Sequence, residues 1–387
     1  MAGAALKYPR DADTWLLVVV VAGLLVAPEP VWALGFYALL PWLGWHVWKV
    51  RAGLSVTLWI AAVLIIWQGM TIAWDGSAAG HPRLLALWVW NPLCTLVFVL
   101  AIGLALRDDA WRERLVDALI GCGAINVVIS IARQLMQPGW EPRMPGWAET
   151  RHPILGAAII GVIVLLAAAR VAEGRRPALH AGVALLGLGF IGLTGSRGPM
   201  LAIGGALALL LLLRRWRWLV GMIGVGLMSL GVGFIVAPER FTAMWHGITD
   251  RGGSHRLEIW SRTLEVIDRA PTIYRWIGFG PTALIGRPAE DFPHNLFLST
   301  LFYSGLIGLA LLLTLFVVIA RQSGQALKWP LLIYVVLTGM TDLSNLTKGP
   351  SPMWYVLWLP LLLASPNGQK FFASFFQKRS ASRPPFS

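Results

Sequence analysis

Charge is scarce in this sequence. Only 13% of its 387 residues are Asp, Glu, Lys or Arg, where a soluble domain carries about 25%. Cysteine is nearly missing. The two that occur, Cys94 and Cys122, lie inside apolar runs without CxxC or Cys/His spacing. That excludes a disulfide framework and a thiolate metal site, and leaves them as small core residues. HExxH and closely spaced histidine pairs are also absent, although seven histidines occur. What fills the chain is apolar, at 57% of residues, in recurring segments of about 17–25 residues, the length a helix needs to cross a bilayer. In lipid only helices and closed barrels satisfy every backbone group, and these runs lack the alternation of barrel strands. The fold class is an all-α polytopic membrane protein, with membrane lipids as neighbours and no nucleic-acid partner.

About twelve transmembrane helices can be drawn, near 14–27, 31–48, 53–73, 84–106, 115–133, 153–169, 179–195, 199–213, 217–236, 296–320, 329–345 and 352–365. The first follows "MAGAALKYPRDADTW" and has no small-residue cleavage site, so it reads as a retained helix. Alternate connections hold 19 of the 32 basic residues, among them Lys49, Arg107, Arg170, Arg214 and Arg321. By the positive-inside rule that side, with both termini, is cytoplasmic. Tryptophans gather at segment ends, in "PWLGWHVWKV" and "PMWYVLWLP", as an interfacial belt does. Residues 1–387 thus form a single transmembrane domain, with one large periplasmic loop at 238–295 between spans nine and ten and a smaller one at 133–153.

The basic residues left to the outer side are twelve arginines and Lys348. Lysine would serve solubility as well, whereas the planar guanidinium fork suits phosphate and carboxylate. Arg197 stands in "GLTGSRGPMLAIGG", between two apolar runs. A cation there is costly, about 2.5–3.5 kcal/mol near a helix centre, and normally faces a polar cavity or a partner. In the large loop, "SHRLEIWSRTLEVIDRAP" places Leu257, Trp260, Leu264 and Ile267 at helical spacing. The pattern predicts an amphipathic helix over about 254–270, lying on the membrane or over a cavity. Arg256 sits one turn before Trp260, while Arg262 is an (i, i+4) partner for Glu258. "GFGPTALIG" predicts irregular backbone that folds back toward the membrane. The chain then re-enters through "DFPHNLFLSTLFYSGLIGLALLL", with His294 and Asn295 at the outer end of span ten. Histidine is the side chain most readily tuned to move a proton near neutral pH, and His294 falls on the same side as Arg197.

At these residues the sequence resembles the O-antigen ligase and polymerase superfamily of bacterial envelope glycosyltransferases. The likeness rests on the ordered set "LTGSRGPML", "HRLEIW", "GFG" and "HNLFLSTLFYSGLIGL", and covers about 191–312. The resemblance implies an inner-membrane enzyme with a periplasmic active site. Its donor would be an undecaprenyl-diphosphate-linked glycan and its acceptor lipid A–core. Carried over by position, Arg197 and Arg256 would engage the donor diphosphate and His294 would assist the acceptor. Arg151 and His152 of "ETRHPILGA", with Asn295, would be secondary. Direct attack on the anomeric carbon would invert it, and no cofactor is implied.

Metal is not expected. The first outer loop is only about "APEPV", with the lone Glu29, and the Asp108/Asp109 pair maps to the cytoplasmic side as a helix cap. Guanidinium groups would supply the counter-charge instead. A secondary transporter should show two similar halves, and the large late loop has no counterpart in the first half. A lipid flippase would favour charged residues through the bundle, and these spans are nearly charge-free. A non-catalytic membrane scaffold is the last class that the composition admits. Ligase and polymerase both stay open, because the 133–153 loop could count as a second arginine-bearing loop. An oligosaccharyltransferase acting on protein would be longer.

Overall fold

The computed structural model describes Val18, residues 20–50, 53–76, 81–137, 143–214, 256–284, 292–322 and 327–365, and the isolated positions Met228 and Ile235. Most of the ninth expected span, all of 238–255 and 285–291 of the large loop, the tip of the 133–153 loop and the C-terminal residues lie outside them. Among the described residues every regular element is a helix. These are α1 (Glu29–Val50), α2 (Val56–Met70, extended by a 3-10 turn over Thr71–Trp74), α3 (Pro82–Ala105) and α4 (Asp109–Met136). Then come α5 (Pro153–Ala172), α6 (Pro177–Thr194) and α7 (Arg197–Arg214), followed by α8 (Arg256–Arg269) and α9 (Thr272–Ile277). The chain continues with α10 (Leu296–Arg321), α11 (Lys328–Thr341) and α12 (Trp354–Ala364), which opens on a wide π turn. Six of these, α2 with its extension, α3, α4, α5, α6 and α10, are long and apolar enough to span a bilayer. The protein is a multi-pass membrane protein.

Local chemistry sets the helix boundaries. Proline opens α3, α5 and α6, where its missing amide hydrogen costs nothing. Asp108 caps α4 by accepting from the amides of Ala110 and Trp111. That gives the Asp-Asp pair its structural role. α5 is the hub: 89% of its apolar window is buried, and it packs along α4, α6, α7 and α11. Small residues permit this, since close backbone approach is what holds helices together in lipid. The Tyr334 hydroxyl of α11 lies over Gly161 and donates to the Ala158 carbonyl at 2.6 Å.

α10 is kinked at Gly305, whose φ of 66° puts it in the left-handed region. A kink frees carbonyls, and in a membrane protein each needs a donor. The amides of Phe279 and Gly280 bond to the Phe302 and Tyr303 carbonyls at 2.9 and 3.1 Å, and the Trp67 indole bonds to the Ser304 carbonyl at 2.9 Å. Glycines make the approach possible: a Cβ on Gly305 would lie 2.2 Å from the Trp276 carbonyl oxygen. The "GFG" run is therefore seated on the bend of α10, and it carries α8 and α9 with it.

Candidate functional site

Helices α5, α7 and α10 all begin at one end of the bundle, and α11 finishes there. The α6–α7 turn needs only two residues because Gly195 adopts φ 59°, ψ 28°, which ends α6 at once. The 143–152 segment braces that turn. Arg143 donates to the Thr194 carbonyl at 3.3 Å and to the Ser196 hydroxyl at 3.1 Å. Trp147 anchors the segment to α4, its amide donating to the Ser130 hydroxyl at 2.8 Å while the Arg133 guanidinium lies 4.7 Å from its ring centre. Thr150 donates to the Asn126 side chain at 2.9 Å. His152 then caps α5, its Nδ1 accepting from the Leu155 amide at 3.4 Å.

A cavity of about 650 Å3 opens at this end, and Arg151, His152, Arg256 and His294 all contribute to its wall. Four residues chosen from three separate stretches of sequence thus meet around one space. Glu149, Asp342 and Lys348 line it as well. Arg197 is exposed at the first position of α7 and does not line the cavity, but its neighbour Gly198 presses on the acid that does. A Cβ on Gly198 would come 2.1 Å from Asp342 Oδ2. Asn295 serves the backbone, since its Oδ1 accepts from the amides of Phe297 and Leu298, both at 3.0 Å, and so starts α10.

Asp342 is the organising residue of the site. Its side chain is only 3% exposed, and its Oδ1 accepts from Arg256 Nη2 at 2.9 Å. The Thr341 hydroxyl donates to Oδ2 at 2.6 Å. A buried carboxylate needs such partners. Arg256, 27% exposed, keeps part of its guanidinium open to the cavity. The loop helix that carries it is pinned one turn later, where the Trp260 indole donates to the Pro293 carbonyl at 2.8 Å. That bond fixes α8 directly beside His294. His294 has φ 46°, a left-handed conformation unusual for a residue with a Cβ, and it is held between the Trp260 anchor and the Asn295 cap.

His152 binds its proton less tightly than an ordinary histidine. Desolvation by the surrounding protein is the main cause and the Arg143 cation adds to it, while Asp342 opposes both. Its Nδ1 already accepts a hydrogen bond, so the neutral ring carries its hydrogen on Nε2. The helix starts of α5, α7 and α10 add partial positive charge at the same end. Arg151, Arg256 and Lys348 outnumber Glu149 and Asp342 on the cavity wall, so the balance of formal charge there is positive.

Sequence reasoning assigned none of Asp342, Lys348 and Arg143 to the site. "TGMTDLSNLTKG" carries no motif; its only signal is an acid at the end of an apolar run, which needs a partner to be tolerated. Among the described residues, no group of three or more His, Cys, Asp or Glu is placed to hold a metal ion.

Residues 182–313 match the model of the family described as O-Antigen ligase. Over 326 residues the chain is 28% identical to the O-antigen ligase of Pseudomonas aeruginosa, covering 79% of this chain and 73% of that protein. A shorter stretch of 74 residues, 19% of this chain, is 34% identical to the protein O-mannosyl-transferase Tmtc2 of Drosophila melanogaster and covers 8% of it. The 182–313 interval contains Arg197, Arg256 and His294. Arg151, His152 and Asp342 come from outside it and are joined to it by the fold.

Proposed function

We propose that the chain is a membrane glycosyltransferase of the O-antigen ligase type, the family that residues 182–313 match and that the Pseudomonas aeruginosa relative carries in its name, and that it transfers a glycan from undecaprenyl diphosphate to lipid A–core oligosaccharide. In this reading the chain crosses the bacterial inner membrane twelve times, with both termini in the cytoplasm. The 238–295 loop and the 650 Å3 cavity then face the periplasm. One observation supports it above the others: Arg151, His152, Arg256 and His294 share one cavity with a buried carboxylate that holds Arg256.

The chemistry follows from where charge develops. As the acceptor hydroxyl oxygen bonds to the anomeric carbon, the bond from that carbon to the diphosphate oxygen breaks. Its electron pair leaves with the lipid diphosphate. Arg256 stabilises that growing charge from the cavity wall, and Arg197, outside that wall at the start of α7, adds positive charge at the same end of the bundle; fixed cations are worth most when they need no rearrangement. His294 takes the hydroxyl proton or orients it. Attack from the far face inverts the anomeric centre. The guanidinium groups supply the counter-charge that a divalent ion gives in other glycosyltransferases, so transfer is expected to survive excess EDTA.

The test is deletion of the gene in its host, with lipopolysaccharide displayed on a gel. Loss of all polymer from the core, with lipid-linked polymer accumulating, is the expected result. Core bearing a single repeat would instead assign a polymerase using the same donor. Arg256→Ala, Arg197→Ala and His294→Ala should each abolish complementation while the protein still inserts, with transfer at least about a hundredfold down. Wild-type complementation by all three would remove the site.

A further inference from the structure

A second cavity, of about 570 Å3, lies on the other flank of α8. Ile259, Arg262 and Glu265 of α8 line one side, and Trp74 and Asp75, just past α2, line another. Its third side is aromatic. Tyr274 and Phe279 stack with ring centres 5.4 Å apart and planes only 5° from parallel, and Phe279 stacks in turn on Phe302 at 4.8 Å. Asp75 is built into the wall: it is 4% exposed, its Oδ2 accepts from the Thr282 amide at 2.6 Å, and Gly280 lies against it so closely that a Cβ there would come within 2.4 Å.

The charges of this cavity cancel. Asp75 and Glu265 face Arg262 and Arg269, and each arginine already pairs with a glutamate one turn back, Glu258 and Glu265. A dianion gains little in such a place. An apolar ligand would leave the carboxylates and guanidiniums without replacements for their water. A sugar ring satisfies both demands. Its C–H face packs against Trp74 and Tyr274, half-buried rings of the wall, and its hydroxyls can donate to Asp75 and Glu265 and accept from the arginines. Aromatic walls with a few convergent polar groups are the usual composition of a small-molecule site.

We propose that this cavity is a saccharide subsite: it binds an uncharged sugar of one of the two glycans while the first cavity holds the diphosphate. The inference rests on that reading of the first cavity. The source of the sugar, donor glycan or acceptor oligosaccharide, is what the test separates.

The experiment uses the full-length protein in nanodiscs and Val266→Trp, which fills the second cavity from a helix position that is 45% exposed and needs no core rearrangement. Initial rates are measured against donor at fixed acceptor, then against acceptor at fixed donor. We expect KM to rise about tenfold or more in one series, with kcat within about twofold, as loss of ground-state binding requires. A rise in the donor series assigns the donor glycan, and a rise in the acceptor series the acceptor. Unchanged KM in both, or a collapse of kcat alone, overturns the proposal. If Val266→Trp is not monodisperse, the exposed pair Arg262→Gln with Glu265→Gln gives the same reading. Arg256→Ala runs alongside. If it keeps full activity the functional reading of the first cavity fails; if it is inactive while Val266→Trp behaves as wild type, only the saccharide subsite fails.

Discussion

The two cavities beside α8 differ first in charge. One brings Arg151, Arg256 and Lys348 against Glu149 and Asp342; the other sets Arg262 and Arg269 against Asp75 and Glu265. One helix serves both, because residues on opposite sides of a 14-residue helix look into different spaces. The anchoring differs too. Arg256 reaches the carboxylate that follows α11, whereas among the described residues Arg262 and Arg269 pair within α8. An arginine tied across the fold has its position dictated by the bundle. One tied to its own helix is mainly a solvated surface pair, worth little in stability. Sequence spacing alone shows the second kind and never the first.

The largest effect on this contrast should come from Asp342→Ala. It strips Arg256 of its cross-fold partner, and transfer should fall by about 10–100-fold, the discounted cost of leaving a half-buried guanidinium unmatched. Asp342→Asn, which retains an acceptor oxygen, should fall less. Equal activity of all three proteins in a transfer assay would mean that the cross-fold tie does not position Arg256. Trp260→Phe comes next. It keeps the ring and deletes the bond to the Pro293 carbonyl, a loss of about 1 kcal/mol. Transfer should drop about fivefold while the second cavity keeps its sugar affinity. A loss as deep as that of Arg256→Ala would show that the indole does more than hold α8 in place.

The smallest effect is in pH. His152 is protonated less readily in the native protein than the ordinary value of 6.5, so the unfolded chain binds the extra proton first. Stability therefore rises with pH through the window just below 6.5 and is insensitive to this group above it. The ring is exposed, which keeps the amplitude small. His152→Gln should flatten that part of the thermal-unfolding profile and leave the neutral region unchanged. A profile that keeps its slope would assign the effect to another group.

Much of the helical framework was readable in the sequence because apolar length is a local property. Each described helix that lies across an expected span could be placed from its hydrophobic run and flanking prolines. The arginines and His294 stood out because polar residues at the edges of such runs are costly. What stayed hidden was pairing. Nothing in "TGMTDLSNL" links Asp342 to Arg256, 86 positions earlier, and nothing in "EPRMPGW" points Arg143 at Ser196. The orientation of α8 was also only partly legible. Its apolar pattern groups Leu257 and Leu264 with Trp260 and Ile267, yet Leu257 is 79% exposed and Leu264 50%, and the buried residues are Thr263 and Ile267. Leu257 and Leu264 thus lie on the flank turned away from the bundle, the side that an amphipathic helix on the membrane would present to lipid.

Asp342 also carries a consequence for turnover. A guanidinium that already holds a carboxylate gains less from an arriving diphosphate than a bare one would, because part of its attraction is satisfied beforehand. That caps how tightly the resting enzyme can retain a spent carrier lipid. If the chain transfers glycan as proposed, the carboxylate that holds Arg256 at 2.9 Å in the structure would compete with the spent carrier for that cation and favour its departure over product inhibition.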